Sequence, residues 1–143
     1  MSSASKDGLQ YAAIVGNAVQ DQCTACLDRL VAESGSTLFA CLGTVDGRLI
    51  AAHSSAQDNS RLAAMACSLL ALSESFAKEA LRGNCMHSTV VTSQGVIVSV
   101  RVPASRRSYV LSIGADAGET MAMVLRHALD TAEKIAGILD SAA

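Results

Sequence analysis

Between Leu62 and Leu72 the chain carries a single polar residue, Ser68. On a wheel of 100° per residue, Leu62, Met65, Leu69, Leu72 and Phe76 form one compact stripe, wide enough to cover a sheet. Ala63, Ala66, Leu70, Ala77 and Leu81 widen that stripe on one flank. On the far side Ala64, Cys67 and Ala71 are small and uncharged as well. The spacing predicts a helix over 60–81, with Asp58 or Asn59 as its N-cap and Gly83 as its stop. A helix that is apolar nearly all round is normally buried.

Elsewhere the pattern is conventional. Val15, Val19, Cys23, Cys26, Leu27 and Leu30 recur at steps of three and four, against Asn17, Asp21, Asp28 and Arg29 on the other side. This predicts a helix from Tyr11 to residue 33, closed by Gly35, because glycine takes a left-handed C-cap without penalty. Two apolar runs, 38–44 and 48–53, flank Asp46-Gly47, a dipeptide suited to the positive φ of a tight hairpin. A strand is expected over 86–92, followed by Ser93-Gln94-Gly95. Then Val96, Val98, Val100 and Val102 alternate with Ile97, Ser99 and Arg101, the period of two of a strand with one buried face. Pro103 closes it. Tyr109, Leu111 and Ile113 share a face of a last strand over 109–114. A final helix over 119–139 presents Met121, Leu125, Ala128, Ala132, Ile135 and Leu139, opposed by Arg126, Asp130, Glu133 and Lys134.

The order is αββαβββα with short connections. The fold class is α/β (more strictly α+β): one five-stranded antiparallel, meander-rich sheet with helices on both faces. The first and last helices fit side by side on one face and the second helix lies on the other. Residues 1–10 read as a flexible polar segment and 11–141 as a single domain. In a chain this small nothing remains to cover the outer face of the second helix, so a second copy is the economical cover. The small Ala64, Cys67 and Ala71 would let two such helices approach closely.

Composition narrows the function. The chain has 143 residues, half of them apolar, yet its aromatics are only two Tyr and two Phe, with no Trp. Such a chain has few platforms for stacking bases, and a net charge of −2 leaves no footprint for nucleic acid or an anionic membrane. No apolar run approaches the ~20 residues that span a bilayer. Residues 1–8 lack the apolar centre of a secretory signal. Five cysteines, an odd number, read as reduced thiols in a cytoplasmic protein.

Cys23-Thr24-Ala25-Cys26 is the one sharp local motif. A redox pair belongs at a helix start, where the dipole lowers a thiol pKa, whereas this pair sits inside a helix on its apolar stripe and reads as core. His53, His87 and His127 lie in different elements, without metal-ligand spacing. There is no GxSxG elbow, and no GxxxxGKS/T phosphate loop of a P-loop GTPase. Arg101, Arg106 and Arg107 read as solvated hairpin charge, with an acidic partner surface as the other possibility. No catalytic, cofactor-binding or metal-binding residue is expected, and the chain is read as a non-enzyme.

Several blocks carry a family resemblance over about Cys26 to Leu139. Leu27-Asp28-Arg29-Leu30-Val31 is followed by Thr44-Val45-Asp46-Gly47-Arg48-Leu49-Ile50-Ala51. Then come Leu62-Ala63-Ala64-Met65-Ala66 with Leu69-Leu70, Gly95-Val96-Ile97-Val98 and the closing helix. In order and spacing this resembles the roadblock (dynein light chain) family. The resemblance implies a profilin-like sheet and homodimerisation through the second helix and third strand. On this chain that interface, for the dimer or another partner, is Ala63, Ala64, Cys67, Leu70, Ala71, Glu74 and Lys78 with His87, Thr89 and Val91. It also implies a scaffold that binds a Ras-like small GTPase and modulates its nucleotide cycle. The longer polar start and the cysteine content depart from the family and leave the partner open. The other reading is a small-molecule sensor, because profilin-like sheets resemble those of ligand-sensing domains.

Overall fold

A computed structural model describes residues 15–53 and 58–141. The flexible segment expected at 1–10 and the helix start at Tyr11 lie outside these residues.

Helix α1 spans Asn17–Ser34, with Gly16 at its N-cap and Gly35 at φ 70° closing it as expected. Strands β1 (Thr37–Thr44) and β2 (Leu49–Ala52) form the Asp46-Gly47 hairpin. Gly47 supplies the positive φ of 90°, and the Thr44 N–H donates to the Arg48 carbonyl at 2.9 Å. Within the turn, the Thr44 hydroxyl bonds the Asp46 carboxylate and accepts the Arg48 N–H at 3.1 Å. That hydroxyl bond is the main reason the Asp46 carboxyl is held below its ordinary pKa.

Helix α2 is Asn59–Leu81, capped by Asp58, whose carboxylate accepts the Arg61 N–H at 3.2 Å. Its end corrects one expectation. The left-handed residue is Arg82, at φ 53°, and not Gly83. The Arg82 N–H donates to the Lys78 carbonyl at 2.9 Å and the Gly83 N–H to the Ala77 carbonyl at 3.3 Å. Strands β3 (Ser88–Val91), β4 (Gly95–Val102) and β5 (Tyr109–Asp116) follow, then α3 (Met121–Ser141).

The sheet order is β2-β1-β5-β4-β3, and every pairing is antiparallel. A hairpin and a three-stranded meander are therefore joined through β1 and β5. One sheet face carries Leu42, Val98, Val100, Leu111 and Ile113, and it is covered by α1 and α3 lying side by side. Cys23, Leu27 and Leu30 of α1 meet Val124, Ala128, Ala132 and Ile135 of α3 over it. The alternating valines of β4 are buried as the period of two required. On α3 the stripe is rotated slightly: Met121 faces outward and Val124 takes its place in the core. Helix α2 lies on the opposite face, on which Phe39, Cys41, Gly43, Val110, Ser112 and Gly114 fall by strand alternation.

A candidate partner surface on α2 and β3

On the sheet face beneath α2 the small Cys41 and Gly43 stand beside the larger Phe39, Leu49 and Val110, and this decides how the helix docks. Ala63 packs on Cys41 and Leu49, while Cys67 and Leu70 pack with Val110. The approach is close. A Cβ added at Gly43 would lie 3.4 Å from the Ala63 Cβ and 3.6 Å from the Cys67 Sγ. The Cys67 thiol donates to the Thr44 carbonyl at 2.9 Å. At the hairpin tip, a Cβ at Gly47 would be 3.4 Å from the Ala64 Cα.

Farther along, the seam between α2 and the sheet turns polar. Ser73 and Ser88 share a hydrogen bond of 3.2 Å, and Ser99 and Ser112 one of 2.9 Å in the buried sheet. Arg101 of β4 donates from Nε to Glu74 Oε2 at 2.7 Å and from its terminal nitrogen to Glu74 Oε1. These bonds hold the Glu74 carboxyl below its ordinary range.

The expected orientation of α2 is therefore reversed. Ala63, Cys67 and Leu70 were expected at a partner interface, but they are buried against the chain's own sheet. Of the stripe expected to cover that sheet, Leu62 is partly buried against Cys41, Leu49 and Ala63, and the rest faces outward. Met65 is 59% exposed, Leu69 37%, Leu72 68% and Phe76 71%. Over Gly43 the helix comes close enough that small side chains, Ala63 and Cys67, go in there, with Leu70 packed farther along on Val110. The signal was available in the alternation of β1 and β5, which sets Cys41, Gly43, Ser112 and Gly114 on one face.

Of the other expected interface residues, Ala64, Ala71, Lys78 and Val91 are exposed. Glu74 is bonded within the chain to Arg101. His87 is partly buried just ahead of β3, where its carbonyl accepts the Cys85 thiol at 3.2 Å. Thr89 is partly buried, and its Oγ1 has no hydrogen-bond partner among the described residues. Because β3 is an edge strand, one side of its backbone is unpaired in the sheet. Met86, just ahead of β3, is exposed as well, whereas the exposed Val91 pairs with Val96 and so falls on the sheet face away from α2.

The three arginines read as hairpin charge act on three different carboxylates. Arg101 is drawn to Glu74, the Arg107 charge acts on Asp46 of the hairpin, and the Arg106 charge acts on Asp140 of α3. Cys23 and Cys26 lie on the α1 face toward the core, and burial pushes the Cys23 thiol up to about 11. Burial likewise raises Cys41, to about 12, and Cys67. Such thiols are poor nucleophiles at neutral pH. His53 instead pairs with Asp28 of α1 at 2.9 Å. Among the described residues no three His, Cys, Asp or Glu side chains gather as metal ligands, and no helix is long and apolar enough to cross a membrane.

No protein-family profile matches the chain, and no curated protein matches it in sequence. Solved structures do. An MglB with a tetrameric arrangement superposes with a TM-score of 0.75 at 17% identity, covering 89% of this chain and 94% of that one. A roadblock/LC7 domain from Streptomyces avermitilis gives 0.71 at 18% identity, covering 81% and 96%. Profilin IB of Acanthamoeba castellanii gives 0.54 at 14% identity, covering 82% and 96%. With its αββαβββα order, five antiparallel strands and helices on both faces, the chain has the profilin-like roadblock fold that its sequence blocks resemble.

Proposed function

We propose that this chain is a non-catalytic, cytoplasmic homodimeric scaffold that binds a Ras-like small GTPase and modulates its nucleotide cycle. The observation that carries the reading is the outward stripe Met65, Leu69, Leu72 and Phe76 beside the free edge of β3. Large apolar side chains in one patch mark an interaction surface. Burying four of them on each of two copies is worth on the order of 10 kcal/mol, comparable to the cost of association. The MglB that superposes on this chain is described with a tetrameric arrangement, so self-association on this fold has a precedent.

The GTPase rests on the family resemblance and on chemistry. A regulator that holds switch loops in one arrangement needs a surface and no phosphate loop, and the chain has no such loop in its sequence. The test is single-turnover GTP hydrolysis and nucleotide exchange by a Ras-like GTPase encoded beside this chain. Wild type is expected to change one of these rates, and Leu72→Glu is expected to abolish the effect. Arg106→Ala with Arg107→Ala separates the other route, an arginine supplied in trans. If that double variant alone loses the effect, the α2 platform is wrong. If no such GTPase responds to wild type, the GTPase reading is wrong.

A further inference from the structure

On the face of the sheet away from α2, a groove of about 570 Å³ runs between α1 and α3. Cys26 lies level with Lys134 and Ile138, while Leu30 and Glu33 lie level with His127 and Asp130, so the two helices run antiparallel. The floor is narrow-chained: Ala25 and Cys26 from α1, Gly137 and Ile138 from α3. Arg29 and Lys134 stand on opposite walls, both exposed.

The charge of this groove runs against that of the chain, which is net negative. No carboxylate lines it, and neither Arg29 nor Lys134 forms an ion pair among the described residues. Both cations act on Cys26 at the floor, where their charges oppose the upward push of burial on the thiol. Past Arg29 and Lys134 the groove continues as a smaller cleft of about 140 Å³ whose walls include Glu33 and Asp130. The charge along the seam therefore has a direction, positive toward the start of α1 and mixed toward its end.

We infer that the groove between α1 and α3 docks an acidic segment of a partner protein, with its carboxylates on Arg29 and Lys134 and its apolar side chains on Ala25, Cys26, Gly137 and Ile138. Two unpaired cations over an apolar floor suit a segment that carries both carboxylates and small apolar groups. The chain's own first 14 residues are a poor match in charge, because Lys6 and Asp7 cancel. This surface and the α2 stripe lie on opposite faces of the sheet. One copy can hold both kinds of partner at once, and this inference does not depend on the GTPase reading.

The test uses the full chain and a fluorescein-labelled amphipathic peptide of Glu and Leu, followed by fluorescence anisotropy. A peptide with Gln for Glu and one with Lys for Glu serve as comparisons. The Glu peptide is expected to bind with an affinity that falls as salt rises. Arg29→Glu with Lys134→Glu is expected to weaken it at least tenfold and to let the Lys peptide bind. Both positions are exposed, and circular dichroism checks that the variant folds. Equal binding of the Gln peptide, or an affinity unchanged by the double reversal, overturns the proposal. So does loss of self-association in the double variant, which makes a second copy the occupant. Nuclear Overhauser contacts from the Tyr11 ring to Ile138 in the free chain overturn it too, since the chain's own start would then fill the groove.

Discussion

Gly114 lies directly beneath the ring of Phe39: a Cβ built on residue 114 would come within 2.1 Å of the Phe39 Cε1. The two residues are paired across β1 and β5, so the ring lies on its neighbour's backbone where any side chain would stand. Gly114→Ala is expected to cost about 1–3 kcal/mol by overpacking. Combined with Phe39→Ala, most of that loss should vanish, because the three nearest atoms all belong to the Phe39 ring. A double-mutant cycle by urea denaturation measures this. Additive losses would mean that the ring swings aside freely.

Gly95 is a different case, and the contrast is informative. Its φ is 154°, and an added Cβ would lie 1.9 Å from the Ala115 carbonyl oxygen, which is backbone and cannot rotate away. Gly95→Ala is expected to cost at least about 3 kcal/mol, with no rescue by any side-chain truncation nearby. A mild effect on the thermal midpoint would show that the β3–β4 turn rebuilds itself at little cost.

Much of this architecture is legible in residue order. The stripe of α1, the alternation of β4 and the Asp46-Gly47 turn are local signals, and each element formed where its period or turn chemistry placed it. The facing of α2 is not local. Its wheel contains two candidate inner faces, one large and one small, and hydrophobicity alone favours the large one. The choice is made by Cys41 and Gly43 on β1, against which Ala63 and Cys67 pack closely, and by Val110 on β5, which takes Leu70. The pairing of Glu74 is hidden for a similar reason: its partner Arg101 is 27 residues away in sequence and meets it only in the folded chain.

The Arg101–Glu74 pair should give a defined acid response. Arg101 holds the Glu74 carboxyl below its ordinary value of 4.5, so the folded state binds that proton less readily than the unfolded chain. The stabilisation is fully present above that ordinary value and is lost as pH falls through the lowered one. The pair is partly exposed, so roughly 0.2–1 kcal/mol is expected. Glu74→Gln should lower the thermal midpoint at pH 7 and flatten its fall between pH 5 and pH 3. Parallel curves for the two proteins would assign that acid response to other groups.

The thiols should be quiet. With Cys23 raised to about 11, only about 0.1% of it is thiolate at pH 8. Alkylation of the folded chain by iodoacetamide should therefore leave Cys23 and Cys41 unmodified for hours, and denaturant should expose both. Cys23→Ala with Cys26→Ala is expected to lower stability by roughly 1–2 kcal/mol and to leave partner binding intact. Rapid labelling of native Cys23, or loss of binding in a folded double variant, would restore a chemical role to the Cys-Thr-Ala-Cys motif.

The outward stripe of α2 makes the sharpest demand. Two sets of substitutions on one helix should behave oppositely. Leu72→Glu and Phe76→Glu place charge at positions 68% and 71% exposed in the single chain, so the fold has little to lose from them. They should halve the mass found by light scattering at micromolar concentration while leaving a folded monomer. Ala71→Glu, also exposed, should weaken the dimer less, because it adds charge beside the large side chains without removing one. Ala63→Leu and Cys67→Leu enlarge residues pressed against Cys41 and Gly43. They should cost about 1–3 kcal/mol of stability, and the chains that still fold should remain dimers. If Leu72→Glu stays dimeric, the stripe does not cover another copy. If Ala63→Leu is harmless and breaks the dimer, the helix presents its small face outward, and the docking described above is upside down.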